Sequence, residues 1–147
     1  MSDTIDLSPF QPVPDNLTRP FWDATAEGQL LLTRCSKCLG WQFPPLERCR
    51  ACDVLLDWVE APRWGSIYSY TVTHYPAVPM FETPYVVALV ELAGAGGPRL
   101  VTRLIATDPL DVRVGAEVDL ELADFPGGSF RVPVARLRTT SGGQDQR

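Results

Sequence analysis

A mainly β fold, in which a short N-terminal helix and a small cysteine-rich module precede a five-stranded barrel, is predicted from three observations. All four cysteines lie within residues 34–52, as two Cys-x-x-Cys pairs. After residue 64, apolar and polar residues alternate with period two, which is typical of strands. Fourteen prolines and eleven glycines in 147 residues interrupt the chain often, which favours short strands and turns over long helices.

The one predicted helix spans residues 18–27. Thr18 is a candidate N-cap, Pro20 falls in the first turn, and Gly28 can end the helix. Residues 1–15, which precede it, are acidic and contain prolines. They are expected to form an extended, weakly ordered arm.

Seven segments are predicted strands, and the first two, at 29–34 and 55–60, would form a ribbon around the cysteine pairs. The other five are 67–75, 85–92, 99–106, 117–125 and 129–136. Five short strands separated by turns fit a small closed barrel, of which the OB-fold is the commonest five-stranded type. Segment 85–92 is almost wholly apolar, as expected for a strand covered on both faces. Pro133 indicates that the last strand lies at an edge.

Four parts are therefore predicted along the chain. They are an arm and helix at 1–33, a zinc ribbon at 34–61, a barrel domain at 62–138 and a disordered tail at 139–147.

The pairs Cys35/Cys38 and Cys49/Cys52 predict a structural zinc site. Zinc binds four thiolates in a tetrahedron, and two Cys-x-x-Cys turns joined by a hairpin supply four sulfurs. The ten residues between the pairs are fewer than the usual spacing but suffice for a tight hairpin. Since four protein ligands leave the metal no open position, a catalytic role is not expected.

Other uses of the thiols are two disulfides, a redox pair or four inert buried residues. Disulfides need an oxidising compartment, whereas the start of the chain lacks the features of a signal peptide and favours the cytoplasm. A redox pair needs one Cys-x-x-Cys at the start of a helix. Inert thiols would not be expected in paired spacing.

The net charge of −5 disfavours a large nucleic-acid footprint, but the cysteine segment is locally basic. Its basic residues, beside the single acid Glu47, are Arg34, Lys37, Arg48 and Arg50. They could receive a phosphate-bearing ligand or an acidic partner, or serve only as solubilising charges. Arg99 and Arg103 share a predicted strand face and could extend this basic surface.

No catalytic constellation is visible in the sequence. His74 is the only histidine, and because no Gly-x-Ser-x-Gly elbow is present, a structural or surface role is favoured over general-base catalysis. The glycine-rich segment 94–98 lacks the lysine and the context of a phosphate loop, so a turn is predicted there. Acids within 108–124 are expected on a solvated face. The residues give no basis for an enzyme activity of the chain alone.

Five segments occur in an order and spacing typical of one known family. They are FWDATAEGQLLLTRCSKCLGWQFPP, RCRAC, WGSIYSYTVTHYP, PYVVALVEL and DPLDVRVGAEVDL. With them the chain resembles, over residues 15–138, the acyl-CoA-associated zinc ribbon plus OB-fold family, long described as domain of unknown function thirty-five. All four metal-ligand cysteines of the family pattern are present.

The resemblance implies an N-terminal helical segment, a rubredoxin-like zinc ribbon and a C-terminal OB barrel. It also implies an accessory, non-catalytic subunit that binds a thiolase-superfamily enzyme of lipid, steroid side-chain or aromatic acyl-CoA metabolism. Such a hetero-oligomer would contain structural Zn²⁺ and share an acyl-CoA ligand, for which Arg34, Lys37, Arg48 and Arg50 are candidate contacts. Whether the partner is a thiolase, an aldolase or a hydratase stays open.

Two rival functions remain at this point. Zinc ribbons and OB barrels also bind single-stranded nucleic acid, with Tyr68, Tyr70 and Tyr75 as candidate stacking residues. An autonomous hydrolase that uses His74 is the other.

Overall fold

The computed structural model describes residues 6–75, 78–94 and 96–139. The helical elements are α1 (Arg19–Ala26) and two 3₁₀ turns, Ser8–Phe10 and Pro109–Asp111. The strands are β1 (Leu31–Arg34), β2 (Trp41–Gln42), β3 (Asp57–Glu60), β4 (Trp64–Thr73), β5 (Tyr85–Leu92), β6 (Arg99–Leu104), β7 (Glu117–Asp124) and β8 (Arg131–Leu137). Residues 140–147, most of the predicted tail, lie outside the described residues.

Helix α1 forms where it is predicted, but its N-terminal capping differs. Thr18 occupies the N-cap position without a side-chain cap bond, because its hydroxyl donates to Asp15 Oδ1 at 2.7 Å instead. Gly28, with a φ of 83°, follows the helix in a left-handed conformation that glycine adopts without strain. The preceding arm is also anchored, since Gln11 Nε2 donates to the carbonyl of Gly127 at 2.9 Å.

The cysteine segment and the residues on either side of it form a three-stranded antiparallel sheet in the order β2–β1–β3. Strand β2, which the sequence did not predict, has two residues and pairs with the end of β1. Strand β1 pairs on its other side with β3 through four residue pairs. This small sheet holds the two cysteine turns at one end.

The remaining strands close into a barrel in the order β4–β5–β6–β8–β7. The sequence predicts such a five-stranded barrel of the OB type, though not the order of its strands. All pairings are antiparallel except that of β6 with β8, which involves only two residue pairs. The prediction that Pro133 marks an edge strand is wrong, because β8 pairs with β7 on one side and β6 on the other. Pro133 itself lies outside the short β6 pairing, so its missing N–H removes no bond there.

Gly65 lies where β4 closes the barrel. It pairs with Leu92 on β5 and with Val118 on β7, so backbone approaches it from both sides. A β-carbon added at Gly65 would lie 2.2 Å from the carbonyl oxygen of Glu91, far inside van der Waals contact. Only glycine therefore fits at this position.

One hydrophobic core joins the helix, the ribbon and the barrel. Leu32 from the ribbon and Leu92 from the barrel are both fully buried and belong to the same cluster. The aromatic rings of Phe21 and Phe43 lie 5.5 Å apart and connect α1 to the ribbon, while Trp22 contacts Phe130 of the barrel region at 5.2 Å. Within the described residues, no helix has both the length and the apolar character needed to cross a membrane.

Candidate metal centre

The four cysteine sulfurs come together at the end of the ribbon. All four Sγ atoms lie within 4.8 Å of one another, and Cys38 Sγ is 3.8 Å from Cys49 Sγ. A tetrahedral zinc with Zn–S bonds of about 2.3 Å would separate its sulfurs by about 3.8 Å. The donor set and spacing therefore fit a structural zinc ion held by Cys35, Cys38, Cys49 and Cys52.

Both cysteine turns have the same backbone geometry. The N–H of Leu39 donates to the carbonyl of Cys35 at 2.9 Å, and that of Asp53 donates to the carbonyl of Cys49 at 3.0 Å. Leu39 and Asp53 both have positive φ, at 61° and 53°. A left-handed conformation costs a non-glycine residue about 1 kcal/mol or more, so each turn needs other interactions to hold it.

An arginine supplies such an interaction in each turn. Arg34 Nε donates to the carbonyl of Leu39 at 2.9 Å, and Arg48 Nη1 donates to the carbonyl of Asp53 at 2.6 Å. Each arginine immediately precedes the first cysteine of its pair, so the sequence R-C-x-x-C recurs for a structural reason. Two of the four predicted ligand-contacting residues therefore also stabilise the metal-binding turns.

Arg34 and Arg48 are the clamping arginines, because each holds the carbonyl group of one cysteine turn. Replacement of either by alanine is expected to loosen the turn that it holds. Arg34→Ala and Arg48→Ala should each accelerate zinc transfer to a chelator by about tenfold, since partners of metal-binding groups typically affect affinity by this amount. Transfer is followed by the absorbance of a zinc-responsive chelator. Arg50→Ala is the matched control, because the exposed Arg50 side chain lies in the same segment and makes no such bond. Equal acceleration in all three variants would contradict the assignment.

Gln42 is a contributor that the sequence reasoning missed. Its Nε2 donates to Cys49 Sγ at 3.1 Å, and its Oε1 accepts from the backbone N–H of Arg50 at 3.3 Å. The side chain is thus fixed at both ends beside the metal centre. Nothing in the spacing of the cysteines signals it, because it reaches the second turn from a two-residue strand.

Two of the four thiols have pKa values far from the ordinary value of a cysteine. Burial alone would raise the pKa of Cys49, but hydrogen bonds from the backbone of Ala51 and Cys52 outweigh it and lower that pKa to about 6. Burial, reinforced by Cys38 and Cys35, raises the pKa of Cys52 to about 12. Four thiolates so close together need a cation, and bound Zn²⁺ would supply the charge that deprotonates them all.

The remaining two basic candidates differ from the clamping arginines. Lys37 and Arg50 are exposed, and neither makes an ion pair within the described part of the chain. Arg34 lies 5.0 Å from the centre of the Trp41 ring, and Arg48 is within 3.8 Å of the Asp53 carboxylate. Lys37 and Arg50 are therefore the residues of this set whose charges are most available.

The candidate stacking tyrosines are partly engaged by the barrel. The guanidinium of Arg99 covers the ring of Tyr68 at 3.7 Å, and the hydroxyl of Tyr70 donates to the carbonyl of Val112 at 3.2 Å. Tyr75 is 83% exposed. His74 follows the end of β4 and is exposed, with no hydrogen-bond partner among the described residues.

The acidic side chains of β7 face solvent, and their charges are neutralised by arginines on the neighbouring part of the sheet. Its carboxylates pair with arginines that are on or immediately after β8, and these pairs are Glu121–Arg136, Asp124–Arg131, and both Asp119 and Glu117 with Arg138. Cross-strand pairs of opposite charge stabilise antiparallel strands modestly. The acids thus have a structural explanation that needs no catalytic role.

Comparison with known proteins identifies the family that has this architecture. A family model described as the ChsH2 rubredoxin-like zinc ribbon domain matches residues 22–55, and one described as the ChsH2 C-terminal OB-fold domain matches residues 58–123. A chain in a solved structure described as "Ltp2-ChsH2(DUF35) aldolase" is 36% identical, with a TM-score of 0.78, over 86% of this chain and 98% of that one. The chain belongs to the ChsH2 family. The resemblance in the sequence and the predicted zinc ribbon and OB-fold are thereby confirmed.

Two curated relatives are similar to this ChsH2 family member over part of their length. A probable enoyl-CoA hydratase alpha subunit from Thermomonospora curvata is 42% identical over 72% of this chain and 33% of its own. A 3-oxo-4,17-pregnadiene-20-carboxyl-CoA hydratase alpha subunit from Mycobacterium tuberculosis is 31% identical over 80% of this chain and 40% of its own. The chain thus spans between a third and two fifths of these relatives. A DUF35-family structure from Sulfolobus solfataricus, 18% identical with a TM-score of 0.57 over 84% of this chain and 86% of its own, shares the fold.

Proposed function

We propose that this chain is a non-catalytic, zinc-binding subunit that docks on a thiolase-superfamily enzyme and helps form its acyl-CoA site. The observation that carries the proposal is the 36% identity, over nearly the whole of the matched chain, to a component of the structure described as "Ltp2-ChsH2(DUF35) aldolase". The absence of a catalytic constellation in the sequence agrees with an accessory role.

In this proposal, Cys35, Cys38, Cys49 and Cys52 hold one Zn²⁺. The ion supplies folding free energy to a ribbon too small to be stable by burial alone. Its chemistry is structural, because four thiolates complete its coordination shell.

The basic surface of the ribbon would receive the phosphates of coenzyme A. Lys37 and Arg50 are exposed and make the principal contacts in this proposal, while Arg34 and Arg48 add positive charge from the two turns. Fixing the phosphates at the surface would orient the thioester toward the partner's active site. Such positioning lowers a reaction barrier without contact with the reacting bond.

The first experiment is co-purification from the native host with a tagged chain. A thiolase-superfamily enzyme should copurify, and the reconstituted pair should turn over an acyl-CoA that the lone chain leaves unchanged. Because two relatives carry the name of hydratase alpha subunits, a hydratase is the alternative partner. Turnover by the lone chain that is lost in His74→Ala would overturn the proposal.

The basic surface is tested in the reconstituted pair. The double variant Lys37→Glu, Arg50→Glu should raise KM for acyl-CoA by about tenfold or more, since it replaces two attractive charges with repulsive ones. The double variant Arg19→Glu, Arg113→Glu changes the net charge equally outside the ribbon and should leave KM unaltered.

Single-stranded nucleic-acid binding is the competing function. The engaged Tyr68 and Tyr70 and the net charge of −5 count against it. A gel-shift titration with an oligonucleotide at low salt separates the two functions. Tight, salt-sensitive binding would reject the accessory-subunit proposal.

A further inference from the structure

A groove of about 510 Å³ lies on the outside of the barrel, where it meets α1 and the ribbon. Its walls come from α1, from the segment after β2, from the β4–β5 connection, from strands β5, β6 and β8, and from the end of β7 with the turn that follows it. The apolar wall residues that matter most here are Phe21, Trp22, Phe43, Phe81, Val87 and Val101. The volume falls in the range of small-molecule sites, which favour junctions between modules.

The groove exists because β6 and β8 pair only briefly. Their parallel pairing is confined to Arg103 with Val134 and Leu104 with Ala135. Pro133, the residue of β8 immediately before Val134, has no N–H with which to extend the pairing and lines the groove instead. The part of β6 before Arg103 therefore borders an apolar recess instead of a paired strand.

One charged side chain enters this recess without a partner. Arg103 lies on the outer face of β6, with its guanidinium 4.4 Å from the centre of the Phe81 ring. Burial lowers the pKa of Arg103, and no carboxylate pairs with it in the described part of the chain. A partly desolvated cation of this kind gains free energy from an anion placed beside it.

The other polar groups of the groove are already satisfied. Thr102 Oγ1 donates to the carbonyl of Pro133 at 2.8 Å, and the Asp124 carboxylate pairs with Arg131 at 3.1 Å. The groove thus combines a large apolar surface with one available cation. Such a site is complementary to a molecule whose apolar body carries a single nearby anion.

Arg99 provides an internal comparison. It lies four residues before Arg103 on the same strand face, but it pairs with Glu91 at 2.9 Å and covers Tyr68. Its charge is therefore neutralised where that of Arg103 is not. Variants at the two positions therefore distinguish a general effect of positive charge on ligand binding from an effect specific to the groove.

We propose that this groove binds an amphipathic small molecule, with the apolar body against Phe21, Phe43 and Phe81 and a carboxylate or phosphate on Arg103. The binding itself does not depend on the partner enzyme. Identification of the natural ligand as the acyl group of a coenzyme A thioester would, by contrast, rest on the proposed function.

Calorimetric titration of the zinc-loaded full chain with decanoate, decyl phosphate and decanol tests the proposal. Both anions should bind at least about tenfold more tightly than the neutral alcohol, and the tighter anion identifies the preferred head group. Arg103→Gln should remove this preference and leave decanol binding unchanged. Arg99→Gln should behave as the wild type.

A second variant tests whether a loss of binding in Arg103→Gln comes from the lost charge or from a folding defect. Val101 is 66% exposed, and Val101→Glu places a carboxylate beside Arg103 on the same strand face, so it should also weaken decanoate binding about tenfold. Urea midpoints report whether either variant has lost stability.

Three results would overturn the inference. They are equal affinity for decanoate and decanol, equal losses in Arg99→Gln and Arg103→Gln, and no binding of any of the three probes. If no probe binds and Arg103→Gln instead abolishes co-purification, the groove is a docking site for a protein segment and the small-molecule proposal is rejected. Because the titrations contain no partner, they can fail while the accessory function stands.

Discussion

Cys35→Ser is expected to remove the zinc and unfold the ribbon. The substitution deletes one of four thiolates from a buried position, and the remaining sulfurs would then hold the metal far more weakly. Structural zinc contributes on the order of 10 kcal/mol to the folding of small modules, which exceeds what a ribbon of this size can gain by burial. Elemental analysis should fall from about one zinc per chain to near zero, and near-UV circular dichroism should lose the Trp41 and Trp58 contributions.

Ser36→Ala is the matched control for the cysteine variant. Ser36 is exposed within the same turn and makes no hydrogen bond among the described residues, so zinc content and spectrum should be unchanged. Full zinc occupancy in Cys35→Ser, or no zinc in wild-type protein prepared without chelator, would contradict the assignment.

Gly65→Ala is expected to disrupt closure of the barrel. The new methyl group would lie 2.2 Å from the Glu91 carbonyl oxygen and 2.9 Å from its carbon, and both are backbone atoms that cannot rotate away. Since β4 is paired on both sides at this point, relief requires separation of β4 from β5 or β7. We expect the free energy of unfolding to fall by about 3 kcal/mol or more.

Urea denaturation followed by tryptophan fluorescence measures this loss. Gly115→Ala serves as the control, because Gly115 has a φ of 86° but a β-carbon there meets no atom within 4 Å. It should cost only about 1 kcal/mol, from the strain of the left-handed conformation. A similar cost for both variants would show that steric closure is not what Gly65 provides.

The positions of the barrel strands could be anticipated from local signals, but their pairing partners and the coverage of their faces could not. Segment 85–92 was expected to be covered on both faces, yet its outer residues Val87 and Leu89 are only half-buried, because β5 and β6 turn an open face outward. Strand β8 shows the reverse. Its inner residues Ala135 and Leu137 join the core, while Val134 on the outer face is also buried.

The metal centre was predictable from cysteine spacing alone, whereas the groove was not. The four thiols lie within 18 residues of one another along the chain, so a local pattern defines their site. Phe21, Phe43, Phe81 and Arg103 come from four separate elements, and only the packing of α1 and the ribbon on the barrel brings them together. The residue pattern of any single segment therefore cannot predict a groove formed between elements.

The shared core of ribbon and barrel bears on whether the two modules can be separated. Two family models divide the chain near residue 57, but Leu32 and Leu92 are buried in one apolar cluster that crosses the division. A truncation at that point would expose apolar surface on both fragments. The boundary between the two family models is therefore not a boundary between independently folding units.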